Sequence, residues 1–110
     1  MDLDAVLESE TEVFLEETDW LSEASPEELD RTYADFSSRF KSWLTAVSAK
    51  LGPPTATRDS HPELAEELYC EAFELAAWAH GPGYRVLACG QHDRDTPVFV
   101  SYSYREAHAA

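Results

Sequence analysis

Between Ser25 and Pro54 the chain carries a full set of helix start and stop signals, and no other segment limits the fold as tightly. Ser25-Pro26-Glu27-Glu28 supplies an N-cap, a proline at the first helical position and a glutamate placed to return a hydrogen bond to the cap. Leu29, Tyr33, Phe36, Phe40, Trp43, Leu44, Val47 and Leu51 then recur at spacings near three and four, which makes one continuous apolar face. Lys50 stands in the last turn, Gly52 follows, and Pro53-Pro54 cannot continue a helix. A helix over 25–51 is therefore predicted, and its apolar face needs a partner layer.

That layer is expected downstream. Tyr84-Arg85-Val86-Leu87-Ala88-Cys89 is a β-like run, preceded by a turn at Gly81-Pro82-Gly83. Residues 73–80 fit either helix or strand. Strand is favoured, because a helix ending at His80 would have to enter the next strand through three residues. A hairpin around Gly81-Pro82-Gly83 sets Leu75 opposite Cys89 and Trp78 opposite Val86. A polar loop from Gln91 to Thr96 leads to a strand in which Val98, Val100, Tyr102 and Tyr104 face one way and Phe99, Ser101 and Ser103 the other. Residues 52–72 read as a linker or short edge strand, then a short helix opened by His61-Pro62-Glu63. With 110 residues the chain fits one domain. The predicted class is α+β: N-terminal helices packed on a small antiparallel sheet of two or three strands in residues 73–104.

Residues 1–24 read as an acidic helix. Val6/Leu7, Val13/Phe14 and Trp20/Leu21 recur every seven residues, but Glu10 and Glu17 stand where the stripe would continue. Such a half-strength stripe suits a surface helix. Like charges four apart, Glu8/Glu12 and Glu12/Glu16, weaken it by a few tenths of a kcal/mol each. The tail from Glu106 onward is expected to fray.

Acids outnumber bases 22 to 8, for a net charge of −14. Residues 1–30 hold twelve acids and no base, and residues 61–80 hold five acids and no base. Phosphate-backbone binding and attachment to an anionic membrane both need clustered Lys and Arg, so nucleic acid and membrane are excluded as partners. A basic protein is the partner that the charge favours. Its expected contacts are Glu8, Glu12, Glu16, Asp19, Glu23, Asp93 and Asp95. The chain alone is expected to be a monomer or homodimer. Two cysteines and no basic-then-apolar leader point to a cytoplasmic protein with reduced thiols.

Chemistry is thinly signalled. Cys70, His80, Cys89 and His92 could ligate a metal, but their spacing lacks the close pairs of zinc sites. His92-Asp93-Arg94-Asp95 has the residue types of a general base, and equally those of a solvated loop. The glutamate series 63, 66, 67, 71 and 74 has no calcium-loop pattern. No catalytic residue, cofactor or metal is expected.

The order of elements carries one resemblance. A capped helix ending in Leu51-Gly52-Pro53-Pro54-Thr55, a segment with Ala77-Trp78-Ala79, and two short strands resemble the small acidic immunity proteins of bacteria, over residues 26–104. The resemblance implies an inhibitor that silences a basic partner, often a nuclease, through an acidic surface. Two other functions fit the composition: a secretion chaperone or adaptor, and a small enzyme or metal-dependent regulator using the cysteines and histidines.

Overall fold

A computed structural model describes residues 3–9, 11–93 and 95–106. The expected fraying beyond Glu106 and the positions of Glu10 and Arg94 lie outside them. The fold is α+β, and its sheet is larger than the sequence predicts. Five strands, β1 (Val13–Glu17), β2 (Ala56–Thr57), β3 (Ala72–His80), β4 (Gly83–Gln91) and β5 (Val98–Arg105), lie in the order β1-β5-β4-β3-β2. All pairings are antiparallel. The described residues also form three helices, α1 (Leu3–Leu7), α2 (Pro26–Leu51) and α3 (Pro62–Leu68).

Helix α2 forms where its signals place it. The Ser25 hydroxyl accepts from the Glu28 amide, the bond of an N-cap, and donates to the Glu28 carboxylate. At the other end Gly52 takes φ +86°, a conformation that glycine adopts at little cost. Phe36, Phe40 and Val47 press on Ala76, Trp78, Leu87, Cys89, Val98, Val100 and Tyr102 of the sheet. Each large apolar side chain so buried contributes about 1.5–3 kcal/mol. The Trp78 indole also donates to the Gly52 carbonyl at 2.8 Å, which ties β3 to the end of the helix.

The opposite sheet face is covered by α3 and the turn after it. Ala65, Leu68 and Tyr69 pack there with Leu75, Ala77, Val86, Ala88 and Phe99.

The acidic helix expected over residues 1–24 is not formed. Helix stops at Leu7, residues 13–17 are an edge strand, and the chain then loops to the Ser25 cap. The seven-residue recurrence is real, but its three pairs fall in a helix, a strand and a loop. Val13 and Leu15 alternate inward as in a strand, and Phe14 turns to the other face against Phe99, with ring centroids 5.3 Å apart. A β-bulge between Phe14 and Glu16 then sets Leu15 and Glu16 on the same side. Leu15 enters the core, and Glu16 accepts from the Trp43 indole at 2.7 Å and pairs with Arg39 on α2. These tertiary bonds outweigh a weak helical pattern with repelling charges.

The β3–β4 hairpin also departs from expectation, by one residue. His80 pairs with Gly83, so the turn is Gly81-Pro82 alone. Gly81 has φ +57°, and proline fixes a negative φ at the next position, the combination of a type II′ turn. Glu74 therefore faces Cys89, and Ala77 faces Val86. A one-residue shift exchanges faces: Trp78 joins Leu87 and Cys89 under α2 rather than Ala88 and Tyr84. A second bulge, between Ala72 and Glu74, turns Phe73 toward α2, where it meets Tyr33 edge-on.

Candidate partner-binding surface

The seven acids expected at a partner surface fall into three groups. Glu12 and Glu16 are spent on internal bonds. Glu12 accepts from the Tyr69 phenol at 2.7 Å and pairs with Arg105 at 3.5 Å. The Arg105 guanidinium in turn lies over the Tyr69 ring, 3.9 Å from its centroid. Glu16 holds Arg39 and Trp43 as described above. Such partly buried, hydrogen-bonded carboxylates stitch β1 to its neighbours and are poor sites for capturing a new cation. Glu8 stands alone, exposed beyond α1 and beside the β3–β4 turn.

The other four, Asp19, Glu23, Asp93 and Asp95, are exposed and occupy the opposite end of the sheet. Two segments far apart in sequence meet there. The Thr18 amide donates to the Val98 carbonyl at 2.9 Å, and the Val98 amide donates to the Thr18 hydroxyl at 3.0 Å. The Leu21 amide donates to the Asp95 carbonyl at 2.9 Å. Asp19 and Glu23 thus flank a residue fastened to the loop that bears Asp93 and Asp95. That loop is itself held. Thr96 bonds the Asp93 amide and carbonyl through its hydroxyl, and its own carbonyl accepts from Gln91. The Gln91 side-chain oxygen accepts from Tyr33 on α2 at 2.7 Å.

Between the fastened residues Thr18 and Leu21 stands Trp20, 71% exposed. The seven-residue recurrence predicts it on a helical stripe with Leu21. Leu21 does pack against the core, whereas Trp20 points to solvent. A tryptophan in the open is an uncommon use of the largest apolar side chain, and Trp is enriched among residues that dominate binding energy. An available signal was its setting: an aromatic residue in Thr18-Asp19-Trp20, just before a helix cap, with Glu23 and Ala24 three and four residues ahead and no large apolar partner there.

The candidate chemical groups are placed as follows. Cys89 is buried beneath α2, and burial pushes its thiol up to about 12. Cys70 is exposed and donates to Glu71, and that bond raises its thiol as well. His92 stacks on Phe99 at 5.0 Å, with Glu71 3.7 Å from its Nδ1. His80 stands at the turn end of β3. Among the described residues no three His, Cys, Asp or Glu side chains converge to hold a metal ion. No helix among them is long and apolar enough to cross a membrane. The chain matches no protein-family profile, no curated protein and no solved structure.

Proposed function

We propose that this protein is an acidic protein-binding module whose partner is basic, with the contact centred on Trp20 and framed by Asp19, Glu23, Asp93 and Asp95. The observation that carries the reading is the exposure of Trp20 on backbone fixed by hydrogen bonds, among four exposed carboxylates. An aromatic anchor on a rigid base loses little conformational freedom on binding. The surrounding carboxylates speed encounter with a cationic surface, and the indole face accepts an Arg or Lys head group. An inhibitor of the immunity type, which silences a basic enzyme by covering it, would use such a surface.

The test is capture from native lysate at low salt by the wild-type chain and by Trp20→Ala. A basic protein retained in stoichiometric amount by the wild type, released by moderate salt and lost from Trp20→Ala, supports the reading. An anchor of this kind is worth about 2 kcal/mol or more, roughly thirtyfold in affinity. A partner held equally by Trp20→Ala, or insensitive to salt, would overturn it.

A further inference from the structure

At the end of the sheet away from Trp20, a cavity of about 490 Å³ opens beside the β3–β4 turn. Its lining includes Glu8, Ser9, His80, Pro82, Arg85 and Tyr104. The volume is within the range of small-ligand sites.

Among the described residues Arg85 is the arginine or lysine on this wall, and its pairing is unusual. The other half-buried arginines, Arg58 and Arg105, each stand within 4 Å of a glutamate. Arg85 has no carboxylate at that distance among the described residues. Its Nη1 donates to the Leu7 carbonyl and to the Tyr102 phenol oxygen, the latter at 3.3 Å. Among the described residues its Nη2 meets the His80 imidazole alone, at 3.4 Å. A guanidinium carries five N–H donors in a planar fork, and neutral acceptors here occupy mainly one arm. Among the described residues, therefore, Arg85 is a half-buried guanidinium at a cavity wall with no carboxylate on it, and such a group attracts an anion.

We propose that this cavity binds a small carboxylate. The carboxylate takes the free part of the Arg85 fork in the two-bond geometry that a guanidinium favours. The Tyr104 ring and Pro82 offer apolar surface to the rest of the ligand. The overall charge of −14 and Glu8 at the wall select a monoanion over a phosphate dianion, because the repulsion grows with ligand charge. The site is separate from the Trp20 surface and does not depend on its function.

Titration of the full ¹⁵N-labelled chain tests it, with benzoate, benzamide and inorganic phosphate as probes. Benzoate should give saturable amide shifts around Ser9, His80 to Tyr84 and Tyr104, with Kd on the order of 1 mM or below. Benzamide, the same shape without charge, should give none, and phosphate should bind more weakly than benzoate. Arg85→Lys keeps the charge but loses the fork, and should weaken benzoate by about tenfold. Arg85 also holds α1, so the exposed Glu8→Gln is the second variant. It should tighten benzoate by roughly two- to threefold by removing repulsion. Equal shifts from benzoate and benzamide, no saturation, tighter binding of phosphate, or no response to Glu8→Gln would each overturn the proposal.

Discussion

Several side chains in this protein do two things at once, and Cys89 shows the consequence most simply. It sits under α2 with its sulfur 3.6 Å from the Phe36 carbonyl. Burial, then the Glu74 carboxylate, raises its thiol from an ordinary 9.0 to about 12. Tyr69 and Tyr102 are raised in the same direction, chiefly by burial, and Tyr69 also by its bond to Glu12. Each of these groups is more readily ionised in the unfolded chain. Stability from them is therefore whole below about pH 9 and falls as pH climbs through the folded values. Urea midpoints should drop steadily above pH 9, and Cys89→Ala should flatten the first part of that fall. With a thiol reagent near neutral pH, Cys70 should react and Cys89 should stay silent until the protein unfolds. Gly90 gives a second residue-scale prediction. A Cβ there would lie 2.5 Å from the Glu71 carbonyl oxygen, so Gly90→Ala must push two backbones apart. A loss of about 1–3 kcal/mol in denaturant unfolding is expected.

At the scale of elements, legibility follows how locally each element is determined. Helix α2 is readable because its cap, stripe and stop all lie within thirty neighbouring residues. Its cap should be worth about 1 kcal/mol, measurable as the destabilisation of Ser25→Ala. Strand β5 is readable because Val98 to Tyr104 alternates cleanly. Strand β1 is not, because what makes it a strand lies elsewhere: Tyr102 and Val100 beside it, and Arg39 and Trp43 above it. Its own residues match a helical template as well. Glu16→Ala should free the Trp43 indole and Arg39 together, at about 1–3 kcal/mol, and loosen β1 ahead of the rest of the sheet. Amide exchange would register this as lost protection at Leu15 and Glu16 with β3 and β4 unchanged. The hairpin register was a different difficulty. Two- and three-residue loops around Gly81 and Gly83 differ by one residue in sequence and by a whole face in structure.

For the whole molecule, charge sets opposing responses to salt. Net −14 on a small domain makes the folded chain repel itself, so moderate salt should raise its Tm. The same salt should weaken capture of a basic partner. Observing both signs in one preparation would separate a specific electrostatic contact from general loosening of the fold. The candidate surface was half legible by the same measure. The sequence marks Asp19, Glu23, Asp93 and Asp95 as exposed acids. That they share one end of the sheet, with Trp20 among them, depends on the return of the chain to pair Thr18 with Val98.

That return has a consequence in the order of synthesis. Val13 pairs with Tyr102, and Leu21 is tied to Asp95, so the first strand has no place to dock until the last one exists. A ribosome delivers α2 and the β3–β4 hairpin well before β5, and these local units can form early. The Trp20 surface is therefore the last part of the molecule to be completed. A nascent or clipped chain that lacks β5 would carry every acid and the tryptophan of the N-terminal segment, yet present no ordered face to a partner. Binding would then report on an intact fold as well as on the presence of the chain.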